Sequence, residues 1–216
     1  MTFGPEYPKI QTIYKRDAKG ALRVGDWTLP EFEWLQDLPW TWTEKIDGMN
    51  MRLHWDGDTV KIAGRSDRAQ IPSELLANLA PQLDPELWRN VFGDGTDVTV
   101  YGEGYGAGIQ SGGKYRNAQS MIVFDILLDG VWLLDADVGE IAGKLGLLAV
   151  PTTLYLPLRD IWATVTSGKL HSVFVGADCE GVVGRPPCDL LTRRGHRVIA
   201  KVKVRDGLHV CDESEQ

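Results

Sequence analysis

Short runs of β-branched and aromatic residues, separated by tight-turn signals, dominate this chain of 216 residues. Two such runs, residues 49–55 and 59–63, are joined by Asp56-Gly57, a dipeptide that favours a hairpin turn. A second hairpin signal, Asp129-Gly130, separates residues 121–127 from residues 131–133. The pattern therefore predicts a chain built mostly from antiparallel β-sheet.

Segments with helical spacing of apolar residues are inserted between the hairpins. The further predicted strands lie at residues 40–46, 98–101, 181–183 and 198–204. The predicted helices lie at residues 72–79, 85–92, 138–145 and 158–166, with Ser73 and Asp137 as candidate N-caps. Helices between hairpins indicate an α+β fold. Because no internal repeat or linker interrupts the chain, we expect a single domain over residues 1–216.

Composition places the chain among ordinary globular proteins, with 43% hydrophobic and 25% charged residues. No stretch approaches the ~18–20 consecutive apolar residues of a membrane span. The N-terminus lacks the basic and then apolar pattern of a signal peptide. We therefore expect a cytoplasmic protein with no membrane contact.

The charge distribution is uneven. A net charge of −7 disfavours a general nucleic-acid coating protein, because phosphate contacts dominate such binding. Residues 185–205, however, hold seven basic residues and one acid. Charge alone leaves two interpretations open, a local phosphate-binding face or a solvated strand and loop.

Two glycine-rich segments suggest nucleotide binding but lack the required context. Residues 102–108 miss the strict G-x-G-x-x-G spacing, and no parallel βαβ pattern surrounds them. Residues 108–114 match G-x-x-x-x-G-K, but Tyr115 follows where a P-loop needs a Ser or Thr hydroxyl. We reject both a dinucleotide-binding turn and a P-loop.

The segment Lys45-Ile46-Asp47-Gly48-Met49-Asn50 lies between two predicted strands. A lysine at a strand end beside an Asp-Gly turn is well placed to be a fixed reactive amine. Alone the pattern is weak, since Asp-Gly is a common turn.

The pattern K-x-D-G-x-N resembles motif I of the covalent nucleotidyltransferases: ATP-dependent DNA ligases, RNA ligases and mRNA capping enzymes. Segments similar to the family's other motifs follow in order: Ala63-Gly64-Arg65-Ser66 (motif Ia), Tyr101-Gly102-Glu103-Gly104 (III), Val123-Phe124-Asp125-Ile126 (IIIa), Glu180-Gly181-Val182-Val183 (IV) and Ala200-Lys201-Val202-Lys203 (V). The resemblance implies the nucleotidyltransferase (ligase adenylation domain) fold, with mainly antiparallel sheets and flanking helices.

Two features resemble the RNA-ligase branch. Asn50 stands where capping enzymes and DNA ligases usually carry arginine, and residues 102–116 are similar in texture to the segment after motif III in RNA ligases. The resemblance implies an ATP-dependent enzyme that adenylates a 5′-phosphate and seals it to a 3′-hydroxyl. RNA ends or nicked duplexes are the implied substrates.

The resemblance assigns the chemistry to three lysines. Lys45 would attack the α-phosphorus of ATP, expel pyrophosphate and form a lysyl-AMP intermediate. Lys201 and Lys203, at spacing i, i+2, would share one strand face and reach the phosphates while Val202 packs into the core. Together with Mg²⁺, the two cations would favour the neutral, nucleophilic amine of Lys45.

The nucleotide contacts follow from the same resemblance. Glu103 would hold the ribose hydroxyls, Phe124 would stack on adenine, and Arg65 would contact ribose or phosphate. Asn50 would lie close by, and Glu44 is carried as a neighbouring contact.

The metal and polynucleotide contacts complete the predicted site. Glu180 would organise Mg²⁺, or Mn²⁺ in its place, since such ions take only one or two carboxylates beside phosphates and water. Arg193, Arg194 and Arg197 are candidates for holding the polynucleotide backbone.

The chain departs from the family at its C-terminus. Only thirteen residues follow Lys203, where relatives carry an OB-fold or a helical domain. We expect neither domain here, so either a partner protein supplies the missing surface or the chain is a minimal stand-alone ligase. The alternatives to an RNA ligase are a minimal ATP-dependent DNA ligase and a non-catalytic nucleotide- or strand-binding accessory protein.

Overall fold

A computed structural model describes residues 3–176 and 178–208. The chain divides into two compact units. The central unit contains residues 3–7 and Ile46–Val150, and the terminal unit contains Pro8–Lys45 and the described residues after Val150.

The strands in chain order are β1 (Gln11–Thr12), β2 (Tyr14–Arg16), β3 (Leu22–Trp27), β4 (Pro39–Lys45), β5 (Met49–Trp55), β6 (Val60–Gly64), β7 (Val98–Tyr105), β8 (Ser120–Leu128), β9 (Val131–Trp132), β10 (Leu148–Ala149), β11 (Thr152–Pro157), β12 (Gly181–Arg185) and β13 (Ala200–Lys203). The α-helices are α1 (Pro30–Trp34), α2 (Ser73–Asn78), α3 (Pro85–Phe92), α4 (Asp135–Lys144) and α5 (Leu158–Thr166). Short 3₁₀ turns occupy Ala80–Leu83, Gly112–Lys114 and Val204–Leu208.

The central unit is built on a sheet with strand order β10-β8-β7-β5-β6, to which β9 adds beside β8. All of its pairings are antiparallel except that of β10 with β8. Alternate residues of β5, including Met51, Leu53 and Trp55, enter a core shared with Leu75 of α2 and Trp88 of α3. The other face of β5 is therefore left for polar side chains.

The terminal unit is built on a sheet with strand order β1-β13-β12-β4-β11 and a separate β2-β3 hairpin. Its core contains Trp40 and Trp42 of β4, Val182 of β12 and Val202 of β13. Helix α5 covers this side with Leu158, Ile161 and Val165, which are spaced for one helical face. Lys45 and Lys203 thus lie at the ends of strands anchored by large apolar side chains.

Most predicted elements are confirmed. Strand β5 and helices α3 and α5 have the predicted bounds, and the fold is α+β with mainly antiparallel sheets. Both predicted N-caps are wrong. Ser73 lies inside α2 and Asp137 inside α4, and the cap positions are taken by Pro72 and Leu134, which offer no side-chain cap bond.

Among the described residues, five strands and one helix were not predicted from the sequence. Strands β1, β2 and β10 have only two or three residues, helix α1 has five, and β11 is an edge strand whose leucines are only half-buried; the sixth missed element is β3, with six residues. Strand β7 continues four residues beyond the prediction, through the glycines of residues 102–104. At Gly102 an added Cβ would lie 2.4 Å from the Ile122 carbonyl oxygen, so glycine permits the close approach of β8. The glycine-rich segment is thus a strand in an antiparallel sheet, which agrees with rejecting the dinucleotide-binding turn.

Within the described part of the chain, no helix is both long enough and apolar enough to span a membrane.

Candidate active site

Three neighbouring strands of the terminal unit bring the motif residues together. Strand β12 lies between β4 and β13, and Gly181 is in register with Lys45 on one side and Lys203 on the other. Gly181 has a φ of +157°, and an added Cβ would lie 2.1 Å from the Val202 carbonyl oxygen. Only glycine fits at position 181. Glu180, which precedes it, therefore lies next to the in-register residues Lys45, Gly181 and Lys203.

The Glu180 carboxylate binds two lysines. Its Oε2 accepts a hydrogen bond from Lys45 Nζ at 2.6 Å, and its Oε1 accepts one from Lys203 Nζ. Burial raises the pKa of the Glu180 carboxyl, but the attraction of Lys45 and the hydrogen bonds from both lysines outweigh burial and hold it below the ordinary value. Glu180 is therefore an anion at neutral pH that fixes the position of the Lys45 amine.

The side chains of β13 alternate between the two faces of the sheet, as the sequence predicts. Val202 is buried in the core, while Lys201 and Lys203 are half-buried on the opposite face. Burial, followed by repulsion from Lys203, Lys45 and Lys9, lowers the pKa of Lys201 to about 8. No acid within residues 3–176 and 178–208 forms an ion pair with Lys201, so this face carries uncompensated positive charge.

Glu44 does not join this cluster. It alternates with Lys45 along β4 and is 2% exposed on the side of Trp42, where its Oε2 accepts a hydrogen bond from Val173 N. The Glu44 side chain lies on the face opposite Lys45, because successive strand residues point to opposite faces. Its Oε1 is buried and has no hydrogen-bond partner among the described residues, and a contact between Glu44 and a nucleotide stays a prediction.

The central unit pairs two predicted nucleotide contacts. Asn50 of β5 lies directly opposite Glu103 of β7. Both residues are half-buried on the sheet face away from Met51 and Leu53. Asn50 Oδ1 is buried and has no hydrogen-bond partner within the described residues. An unsatisfied acceptor beside a carboxylate fits a ligand that brings hydrogen-bond donors, such as ribose hydroxyls.

Phe124 lies at a β-bulge. Tyr101 and Gly102 of β7 are opposite Asp125 and Val123 of β8, so Phe124 is the extra residue of the bulge. The bulge turns Phe124 out of the core, and its half-buried ring contacts Tyr7 edge to face at a centroid distance of 4.9 Å. Tyr7 is itself fixed by its hydroxyl, which donates to Asp125 Oδ2 at 2.7 Å. One side of the Phe124 ring is therefore already in contact with the aromatic ring of Tyr7.

Arg65 follows β6 and is exposed. Its carbonyl oxygen accepts a hydrogen bond from the buried Arg52 guanidinium, which also pairs with Asp67. The backbone of Arg65 is therefore anchored while its side chain is left toward solvent.

The three arginines proposed for the polynucleotide backbone separate into two groups. Arg193 and Arg194 are exposed in the turn between Leu191 and Arg197, which form a β-bridge. The Arg197 side chain is only 4% exposed and pairs with Asp189 at 2.8 Å. The Arg197 charge therefore supports this turn, and its contact with a polynucleotide stays a prediction.

The side chains of the described residues could bind a divalent metal ion only if a bound ligand supplied further coordinating atoms. Within the described ranges, no three His, Cys, Asp or Glu residues group closely enough to hold a metal by themselves. Glu180 already accepts from two lysines, yet a carboxylate has about four lone-pair positions. Mg²⁺ needs only one or two carboxylates when phosphates and water complete its shell, so Glu180 fits as the single protein ligand.

The sequence analysis missed the N-terminal contribution to this face. Strand β1 pairs in parallel with β13, with Thr12 in register with Lys201. The basic residues Lys9 and Arg205 consequently lie near Lys201 and Lys203. The basic run of residues 185–205 indicated Arg205, although it lies in a 3₁₀ turn and not in β13, but no local pattern indicated Lys9.

Comparisons with known proteins agree with the fold. The model of the RNA ligase family matches residues 38–203. Among solved structures, an alanine variant of Naegleria gruberi RNA ligase with ATP and Mn matches with a TM-score of 0.64 and 16% identity, over 92% of this chain and 57% of that chain. The Naegleria gruberi RNA ligase with PPi matches with a TM-score of 0.64 and 17% identity, over 94% and 58%. No curated protein sequence matches significantly.

The fold and the lysine–carboxylate cluster define a protein of the covalent nucleotidyltransferase class. The chain belongs to the RNA ligase family, whose model covers most of its length. It spans 57% to 58% of the Naegleria chains it matches.

Proposed function

We propose that this protein is an ATP-dependent polynucleotide ligase that acts on RNA ends through a lysyl-AMP intermediate on Lys45. The observation that carries the proposal is the Glu180 carboxylate, which holds Lys45 beside Lys203 and close to the uncompensated Lys201. A fixed amine beside cations suits attack on the α-phosphorus of ATP, where a phosphoanhydride bond is broken. In this proposal residues 1–216 act as one adenylation domain.

In the first step the Lys45 ammonium gives one proton to solvent, and the neutral amine attacks the α-phosphorus of ATP. A second proton passes to solvent as the phosphoramidate forms. A phosphorus–nitrogen bond forms and the bond to pyrophosphate breaks. Glu180 orients the amine, and Lys201 and Lys203 stabilise charge on the phosphates. In the following steps AMP passes to a 5′-phosphate, and a 3′-hydroxyl then displaces AMP as the phosphodiester forms.

A divalent cation, Mg²⁺ or Mn²⁺, belongs to this proposal. The Naegleria gruberi RNA ligase has been solved with ATP and Mn, which supports the same requirement here. Glu180 would hold the ion, and the ion would neutralise negative charge on the phosphates.

The remaining contacts are proposed residue by residue. Glu103 binds the ribose hydroxyls, with the unsatisfied Asn50 Oδ1 as the adjacent acceptor. Phe124 contacts adenine, and Arg65 contacts ribose or phosphate. Arg193 and Arg194 contact the polynucleotide backbone, and a partner protein that adds binding surface stays a prediction.

The test is the intact mass of the protein after incubation with ATP and Mg²⁺ or Mn²⁺, with GTP and NAD in parallel. We expect one added AMP in the wild type with ATP, and none in Lys45→Ala or Lys45→Arg. Lys45→Arg keeps the cation beside Glu180 but cannot form the lysyl phosphoramidate. Exposed Lys169→Arg is the matched control and should be adenylated as fully as the wild type.

Substrate choice needs a second measurement. Sealing of nicked duplexes with RNA or DNA on the 3′-hydroxyl side distinguishes an RNA ligase from a minimal DNA ligase. A wild-type protein that binds ATP but is never adenylated would contradict the proposal and favour a non-catalytic accessory protein.

A further inference from the structure

A basic cleft lies on the terminal unit beside the motif lysines. Its volume is about 780 Å³, and it is formed by the N-terminal segment around β1 together with β13 and the 3₁₀ turn that follows. The cationic side chains that line it are Lys9, Lys15, Arg16, Lys201, Lys203 and Arg205. Such a concentration of one charge is unusual in a chain with a net charge of −7.

Half of these cations are neutralised by protein acids. Lys15 pairs with Asp26, Arg16 pairs with Asp206, and Lys203 pairs with Glu180. These ion pairs fix the walls of the cleft and leave their acids satisfied.

The other half are not neutralised. Lys9, Lys201 and Arg205 form no ion pair with any acid in the described residues, and Lys9 and Arg205 are exposed. Repulsion from Lys9 adds to the effect of burial in lowering the pKa of Lys201, and Asp206 acts in the opposite direction. The cleft therefore has a positive potential that an anion would relieve.

A second observation points to a bound ligand. Thr28 lines the cleft, and its Oγ1 is buried without a hydrogen-bond partner among the described residues. A buried hydroxyl without a partner costs free energy, so a ligand that hydrogen-bonds to it gains affinity.

The size of the cleft favours an extended ligand over a single phosphate. Pockets of about 300–1,000 Å³ hold whole drug-sized molecules. The cations come from two chain segments, residues 9–16 and 201–205, so several phosphates can be contacted along the cleft. A phosphodiester backbone offers such a series of charges.

We propose that this cleft binds the sugar–phosphate backbone of the RNA strand and leads it to Lys201 and Lys203, with Lys9 and Arg205 as its phosphate-binding residues. The proposal rests on the proposed function for the identity of the strand. Binding through phosphates carries no sequence preference, so the cleft positions RNA without selecting its sequence.

The test is the salt dependence of binding to a 5′-phosphorylated single-stranded RNA oligonucleotide without ATP, measured by fluorescence anisotropy between 50 and 200 mM salt, roughly the range over which counterion release is read. Lys9→Glu/Arg205→Glu removes two proposed contacts at exposed positions. Each lost contact should lower the slope of log K against log salt by about 0.7, so we expect a decrease of about 1.4. Lys19→Glu/Lys169→Glu makes the same charge change at exposed positions outside the cleft and should leave the slope nearly unchanged.

Two further measurements separate the outcomes. Lysyl-AMP formation by the wild type, read by intact mass, tests the proposed function separately, because RNA binding is measured without ATP. If wild type is never adenylated but RNA binding shows the expected change, the proposed function fails and the cleft assignment stands. Equal slopes of log K against log salt in the cleft variant and the control variant would overturn the proposal that this cleft binds RNA. Unchanged RNA binding with weakened binding of inorganic pyrophosphate would also overturn it, in favour of a site for the leaving group.

Discussion

Glu180 joins Lys45 and Lys203 through the two oxygens of one carboxylate, although the lysines lie on strands that do not pair with each other. The intervening strand makes this possible, because Gly181 is in register with both lysines. One acid thus fixes two amines, and its loss would leave two half-buried cations facing one another.

Replacing Glu180 by glutamine should therefore destabilise the protein. We expect Glu180→Gln to lower the free energy of unfolding by about 2 kcal/mol, since it leaves Lys45 and Lys203 without their counter-ion. Urea denaturation at pH 7 measures the effect. Glu140→Gln is the control, because it breaks an exposed helical pair with Lys144 that solvent screens, and it should cost much less. Equal costs for the two variants would contradict the bridging role.

The contribution of Glu180 should depend on pH in a defined direction. Its folded pKa lies below the ordinary value of 4.5, so the stabilisation is complete above pH 4.5. As the pH falls through the lower folded pKa, the carboxyl is protonated and the stabilisation is lost. The difference in unfolding free energy between wild type and Glu180→Gln should hence be constant near neutrality and shrink in acid. A difference that grows on acidification would contradict a lowered pKa for Glu180 in the folded protein.

Lys201 should destabilise the protein at neutral pH, whereas Glu180 stabilises it, although both contributions rise with pH. Its pKa is about 8 in the folded protein against an ordinary 10.5, so the unfolded chain binds more protons between these values and stability rises with pH across that window. We expect Lys201→Met to be more stable than wild type at pH 7 by ~1 kcal/mol, after allowance for solvent screening. The advantage should vanish above about pH 10.5, where the lysine is neutral in both states. Exposed Lys169→Met should show no such trend in the same thermal melts.

Gly181 should tolerate no side chain. A Cβ there would meet the backbone of Val202, which cannot move without disturbing β13. We expect Gly181→Ala to destabilise the protein by about 1–3 kcal/mol and to impair lysyl-AMP formation, since Glu180 and Lys203 would be displaced. Gly139→Ala is the matched control, because that helical glycine of α4 has open space around it and alanine should stabilise by about 0.5–1 kcal/mol. Full adenylation of Gly181→Ala would contradict the close-packing argument.

The site residues differ in how far local sequence determined their positions. The spacing of Lys201 and Lys203 was sufficient to place both on one strand face, because strand alternation is a local property. The same rule applied to Lys45 would have shown that Glu44 points the other way. Arg197 could not be judged locally, since its ion pair with Asp189 depends on how the turn folds back.

Sequence by itself determined the strands and helices with strong periodicity, the antiparallel character of the sheets and the order of the motifs. These features depend on side-chain alternation and on turn residues, which act over a few positions. Tertiary structure alone decided which strands became neighbours. It placed β12 between β4 and β13, and β1 beside β13, because these pairings join residues far apart in the chain. The Glu180 bridge and the basic cleft exist only through those pairings, since no local pattern specifies contacts across more than a hundred residues.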